Sequence, residues 1–180
     1  MSHPIRVLST LALKGAVHGL ASQYQAAGGM RIDADFAPTL ALLERLRSGE
    51  SADVVVLTRE GLEEVVRQGR VVAESCVDLA RSWVGIASDI NGRAVIIPQG
   101  FTAEKLVTGE ADLAVQQISE LKQIEGIEVV GPIPRELQTP AVFSAGRMAA
   151  TNKPDQADRL LRFLASPEVA PALCASGLEP

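Results

Sequence analysis

Few residues in this chain could do nucleophilic or metal chemistry, and none stand where they could act together. Its two histidines are His3, near the start, and His18, inside a helical stretch; neither has a cysteine or carboxylate at metal-ligand spacing. Cys76 and Cys174 each sit in an apolar or small-residue setting without a second Cys or His at ligand spacing, so both read as structural thiols. There is no G-x-S-x-G elbow, P-loop or dinucleotide fingerprint, and Gly28 and Gly29 lack the flanking pattern of one. What the chain does carry is hydroxyls in short strand-to-helix loops. Thr10, followed by the backbone of Leu11 and Ala12, and Thr39, after Pro38, both stand at such points. At a helix start, unpaired N–H groups and the positive end of the dipole converge, which suits an oxyanion. The same threonines have a local alternative, since a Thr that caps its helix is worth about 1 kcal/mol. Lys14, one turn into its helix, either adds a cation near an anion or is a solvated surface lysine.

The elements that must position these groups alternate. A strand at 5–8 leads through a loop at 9–12 to a helix at about 13–25, stopped by Gly28 and Gly29. A strand at 31–36 is followed by a helix with Leu40, Leu42, Leu43 and Leu46 at helical spacing, ending at Gly49. The continuous β-branched run at 53–57 predicts a strand buried on both faces, with Thr58 capping a helix that carries Leu62, Val65 and Val66. Extended segments follow at 71–72 and 83–87. After a turn at Asn91 and Gly92 come a strand at 94–98, a short helix at 102–107, a strand at 111–116, one or two helical turns at 118–123 and a strand at 127–130. Gly131 to Pro134 should break regular structure, and 139–145 reads as a returning strand. The clearest helix has Asn152 as cap, Pro154 in its first turn and Leu160, Leu161 and Leu164 on its apolar face; a second helix restarts at 166–168. This pattern predicts an α/β fold with a doubly wound sheet, whose ligands bind at the C-terminal ends of parallel strands.

The bulk composition excludes several partners. At 180 residues, 47% hydrophobic and with a net charge of -5, the chain is long enough to bury a sizeable core. Charges are scattered without a basic stripe, which argues against nucleic acid and against anionic membrane surfaces. Met1 to Pro4 run straight into an apolar stretch without the three regions of a signal peptide, so a native start here implies the cytoplasm.

Several segments together resemble the molybdate-binding branch of the type II periplasmic-binding-protein superfamily, the solute-binding proteins of ABC transporters. They are Ser9 to Gly15 after the first strand, GEADLAVQQISE at 109–120, VVGP at 129–132 continuing to Leu137 and Gln138, LASPE at 164–168 and GLEP at 177–180. The resemblance covers nearly the whole chain, and the order of the segments is more specific than any one of them. It implies two lobes around a hinge cleft, lobe one about 1–84 plus 139–180 and lobe two about 85–138, with hinges near 84–88 and 137–141. The sequence departs from the family between 84–87 and 93–96, where only a short turn replaces a longer insert, so lobe two is expected to be truncated, with an exposed apolar face that a homodimer could cover.

Gln116, Gln117 and Thr139 match the family's cleft-facing segments, and the side-chain amides could donate to a ligand. The alternative is that one glutamine is exposed and the other bonds the hinge backbone. With Thr10, Leu11, Ala12 and Thr39 they form the expected ligand-binding set, for a small anion such as a molybdate-like oxyanion or a carboxylate. No metal, cofactor or catalytic residue is expected. The resemblance implies an ABC transporter permease as partner and a periplasmic location if the chain is exported. Relatives similar to aconitate isomerase keep open an isomerase acting on a small tricarboxylate, for which Asp112 and Glu120 are the local carboxylates.

Overall fold

The computed structural model describes residues 3–88, 97 and 100–180. The expected turn at Asn91 and Gly92 lies outside the described residues, as does the expected strand at 94–98 apart from Ile97. Strand β1 (Ile5–Ser9) runs into a 3-10 turn (Leu11–Leu13) and helix α1 (Lys14–Ala26). Then come β2 (Ile32–Phe36), α2 (Thr39–Arg47), β3 (Val54–Thr58) and α3 (Arg59–Arg67). β1 pairs in parallel with both β2 and β3. The chain adds β4 (Val77–Ser82) and, much later, β8 (Ala141–Arg147), giving the order β2-β1-β3-β8-β4 with β8 antiparallel to both its neighbours. The sheet is therefore mixed, as expected for this type of fold.

Helices cover both faces because side chains alternate along the strands. Val54 and Val56 join Ile5, Val7, Leu13, Val17 and Leu20 in one core, together with Leu160, Leu161 and Leu164 of α6 (Pro154–Leu164) and Leu173 of α7 (Ala170–Ala175). Val55 and Leu57 point the other way, to Leu42, Leu43 and Leu46 of α2 and Leu62 and Val65 of α3. Leu40 does not follow its neighbours: it is 79% exposed, one residue inside the helix start and off the packed stripe.

A smaller antiparallel sheet, in the order β6-β5-β7, is built from β5 (Val84–Ser88), β6 (Leu113–Gln117) and β7 (Glu128–Pro132). With the short helices α4 (Glu104–Val107) and α5 (Ile118–Leu121) it encloses a core of Ala103, Leu106, Ala111, Ala114 and Leu121. Leu113, Val115 and Val130 are 53%, 48% and 64% exposed, so apolar side chains of both outer strands face water. Exposed apolar surface on short edge strands favours self-association. A concentration-dependent mass in sedimentation equilibrium is expected for the wild type. It should fall toward the monomer in a variant carrying Leu113→Thr, Val115→Thr and Val130→Thr.

Three sequence expectations need correction. Strand β4 was not foreseen, because the sequence Val77 to Ser82 mixes charged and apolar residues without clean alternation; it forms by pairing with β8 across a register shift between Asp78 and Ala80. Gly131 and Pro132 continue β7 rather than ending it, on an outer strand where Pro is tolerated. Asn152 does not cap α6: Lys153 occupies that position, with no side-chain cap bond.

Candidate ligand-binding site

Strands β2, β1 and β3 end side by side, so the loops that follow them share one edge of the sheet. Ala37 N–H donates to Ser9 O at 3.1 Å and Thr10 N–H to Val56 O at 3.0 Å, which ties these loops to neighbouring strands. Thr10 is 3% exposed, and its buried Oγ1 has no hydrogen-bond partner among the described residues. It makes no side-chain cap bond; the 3-10 turn closes through Leu13 N–H to Thr10 O at 3.3 Å. The N–H groups of Leu11 and Ala12, first in that turn, have no carbonyl within it to reach. A buried hydroxyl left unpaired costs about 1–3 kcal/mol. Thr10 is thus a polar position that local structure does not explain.

Thr39 is not a cap either. Pro38 takes that position, and Thr39 Oγ1 accepts from Thr58 N–H at 3.4 Å. Thr58 caps α3 as expected, its Oγ1 accepting from Gly61 N–H at 3.4 Å. A Cβ at Gly61 would stand 2.7 Å from Thr39 Cγ2, so the glycine is what lets α3 start this close to α2. The sheet edge therefore carries three threonines, of which sequence reasoning assigned Thr58 to capping alone.

From the smaller sheet, Gln117 precedes α5 and pairs with Val84, and Ile118 N–H donates to Trp83 O at 2.9 Å. Gln117 Oε1 and Trp83 Nε1 are both buried and unpartnered among the described residues. These two polar atoms, an acceptor and a donor, sit on adjoining segments where the chain crosses between sheets. Ser82 Oγ and Ser119 Oγ, 3.1 Å apart, join the sheets beside them.

Gln116 stands differently. Its Oε1 accepts from Thr102 N–H at 2.8 Å and Thr102 Oγ1 at 2.9 Å, and its Nε2 donates to Gly100 O at 3.2 Å, so its amide secures the loop before α4. Thr139 is exposed on the return crossing. The hinge-backbone role weighed for Gln116 or Gln117 belongs instead to Gln138. Its Oε1 accepts from Val84 N–H at 2.8 Å, and its Nε2 donates to Val84 O at 3.3 Å and to Ile133 O. Lys14 is not free in solvent: its Nζ lies over the Phe101 ring, 5.6 Å from the centroid, a cation–π contact from α1 to the loop that Gln116 holds.

Of the two carboxylates weighed as bases, Asp112 is 8% exposed at the foot of β6. Glu120, the other, is half-buried on α5. Burial raises its carboxyl to about 7, against a hydrogen bond from Gln116 that works to lower it. His18 meets Phe36 edge-on, with ring centroids 5.3 Å apart. Among the described residues no group of three His, Cys, Asp or Glu side chains could hold a metal ion, and Cys76 and Cys174 are free thiols.

The sequence and the fold are similar to those of known proteins. Over 229 aligned residues the chain is 28% identical to an aconitate isomerase from a Pseudomonas species, covering 98% of this chain and 87% of that protein. An alignment longer than the chain itself leaves segments of that relative without a counterpart here. The fold superimposes on the periplasmic molybdate-binding protein of Azotobacter vinelandii with a TM-score of 0.79 at 14% identity, over 98% of this chain and 99% of that one. It also superimposes on the sulfate-binding protein SubI from Mycobacterium tuberculosis with a TM-score of 0.75 at 11% identity, over 99% and 87%. Residues 5–93 and 84–179, two stretches that overlap at 84–93, match the family described as bacterial extracellular solute-binding protein. The chain belongs to the bacterial extracellular solute-binding protein family.

Proposed function

We propose that the chain binds a small anion between two lobes and presents it to an ABC-type membrane permease in the periplasm. The lobes are residues 1–84 with 139–180, and 85–138, hinged where Trp83 to Val84 and Gln138 to Thr139 cross. The observation that carries the reading is Thr10, a buried hydroxyl without a partner among the described residues, beside the N–H groups of Leu11 and Ala12 that open the 3-10 turn at the C-terminal edge of parallel strands. Such an edge is where open α/β sheets take their ligands, and neutral donors can select an oxyanion by geometry. Thr39 flanks Thr10 from the next loop, and Gln117 and Trp83 meet the ligand from the second lobe. Gln116 and Thr139 act at one remove, Gln116 by holding the loop at 100–102. Similarity to molybdate-binding and sulfate-binding proteins supports the choice of an anion.

A thermal-shift screen against molybdate, tungstate, sulfate, phosphate, citrate and aconitate tests this, because a ligand that binds only the native state raises its melting temperature. At least one anion should stabilise the wild type. Thr10→Val, which keeps the shape and removes the hydroxyl, should weaken that anion by roughly tenfold or more, since a hydrogen bond to a charged group is worth about 1.5–3 kcal/mol. Unchanged affinity in the variant would remove Thr10 from the site.

One observation favours a second reading. Similarity to an aconitate isomerase and a desolvated carboxyl at Glu120 that titrates at about 7 fit a general base able to take a proton beside a carboxylate and return it elsewhere on the same molecule. Turnover of aconitate by the purified chain, lost in Glu120→Gln, would decide for this reading.

A further inference from the structure

Gln123 carries no signal in the sequence, yet it reaches the loop of Thr10 from the smaller sheet's side. It stands in the turn after α5, where its N–H donates to Glu120 O at 3.1 Å and Ile124 N–H donates to Leu121 O at 3.1 Å, so its backbone is fixed. Its side-chain Nε2 donates to Ser119 O at 2.9 Å, on its own segment, and to Leu11 O at 2.9 Å, 112 residues away along the chain. Both partners are carbonyls, which only accept, so the amide nitrogen must be the atom that faces them. The side chain is partly buried, and its stem lies alongside α1: a Cβ at Gly15 would stand 3.8 Å from Gln123 Cγ, an ordinary packing distance. Packing along the stem and two bonds at the tip hold the amide in one place.

The carbonyl it holds belongs to the peptide that bears one of the donors assigned to the anion. Leu11 O also accepts from Lys14 N–H, the bond that leads the 3-10 turn into α1, so both lone pairs of that oxygen are used. The Leu11–Ala12 peptide is trans, and in a trans peptide the C=O of one residue and the N–H of the next point in opposite directions. With Leu11 O turned toward Lys14 and Gln123, the Ala12 N–H points out of the other, N-terminal end of the turn. Thr10 leads into that end, and its buried Oγ1, in a residue 3% exposed and without a partner among the described residues, is a second polar atom there. A bond accepted at a carbonyl also polarises its own amide, which makes the N–H on the far side a stronger donor.

We propose that Gln123 is a positioning residue of the anion site: by holding Leu11 O it aligns the Leu11–Ala12 peptide, so that the Ala12 N–H is aimed and polarised for the anion. It does so from the second lobe. That lobe then contributes to binding through a side chain that never meets the anion. Docking of the turn after α5 against the first sheet completes the bond to Leu11 O, and separation of the two frees the peptide to turn. Donors already fixed in place bind an anion more tightly than donors that must be ordered on binding. The inference rests on the anion-binding reading above and adds how its backbone donor is held.

The test uses the full chain, with sulfate and molybdate as probes. Titration calorimetry compares the wild type with Gln123→Met, whose side chain has the same length and no donor. The variant, shown to be folded by circular dichroism, should bind roughly three- to tenfold more weakly, the loss expected of one neutral hydrogen bond. Nuclear magnetic resonance supplies the readout that a merely structural role would not move. In the wild type, saturation with the anion should shift the Ala12 amide proton downfield as it takes up a charged acceptor. In Gln123→Met without anion, the Leu11 carbonyl carbon should move upfield, as a carbonyl does on losing a hydrogen bond, and the Ala12 shift on saturation should shrink. Gln123→Glu, of the same shape and ionised at neutral pH, cannot donate to Leu11 O either and should reproduce both effects, so the outcome does not hang on the folding of one variant. An Ala12 amide unmoved by bound anion in the wild type, or wild-type affinity in both variants, overturns this inference and leaves anion binding standing. Failure of the wild type to bind either probe overturns the oxyanion reading itself, and this inference with it.

Discussion

Replacing Asp53 by alanine should lower the melting temperature by roughly 10 °C while leaving ligand affinity intact. Asp53 is 5% exposed and stands at the N-terminal edge of the first sheet, just ahead of β3, at the opposite end from Thr10. Its carboxylate accepts from Arg6 N–H at 2.8 Å, Thr151 Oγ1 at 2.5 Å and Lys153 Nζ at 3.0 Å. Lys153 also donates to Pro4 O at 2.8 Å, so one cluster joins the start of β1, the start of β3 and the entry to α6. Removing the carboxylate strands an ammonium and two further donors, a type of loss that costs about 3 kcal/mol or more, or roughly 2–4 °C per kcal/mol in a chain of this size. Burial works to raise the Asp53 carboxyl, but the bonds from Thr151, Arg6 and Lys153 outweigh it, and its pKa is lowered. A group whose folded pKa is depressed contributes stability present above its unfolded value and lost as pH falls through the folded one. The difference between wild type and Asp53→Ala should therefore be full at neutral pH and shrink below about pH 4. Differential scanning calorimetry over pH 3 to 7 checks both points, and a constant difference would mean the contribution is packing rather than charge.

The second large effect has the opposite sign with pH. Glu120 is raised from its ordinary value to about 7 by burial. Such a group contributes stability that is complete below its unfolded pKa and is lost as pH rises through the folded one. The wild type should lose about 2–3 kcal/mol relative to Glu120→Gln between pH 4.5 and pH 8, allowing for partial solvation of the carboxyl. In urea unfolding the two proteins should have similar midpoints at pH 5, and the glutamine variant should be clearly the more stable at pH 8. Parallel curves across this range would mean that water reaches Glu120 freely. Because this measurement needs no ligand, it tests the environment of Glu120 by itself.

Much of the first sheet was legible because its signals are local. The run Val54 to Leu57 needs burial on both faces whatever surrounds it, and the leucines of α2 and α6 define apolar stripes by spacing alone. Thr10 and Thr39 stand out as candidates in the same way, since a hydroxyl between a strand and a helix start is a property of a few adjacent residues. The family resemblance rested on the order of such segments, and with it came the expectation of a shortened second lobe.

What those residues do was decided elsewhere in the chain. Thr10 and Thr39 both lack the caps that local reasoning allowed them, because Val56, 46 residues from Thr10, and Thr58, 19 residues from Thr39, fix the loops in another way. Gln116 and Gln117 are neighbours of one type, yet the loop at 100–102 consumes the amide of the first, while an oxygen of the second is buried without a partner among the described residues. β4 exists only because β8, arriving some 60 residues later, supplies its partner. Glu120 could be named from the sequence as a carboxylate but not given a direction. Spacing along a chain determines which residues can share an element. Which polar groups are paired, and which are left buried without a partner, depends on what other elements bring to them, and among the described residues that alone distinguishes Thr10 from a helix cap.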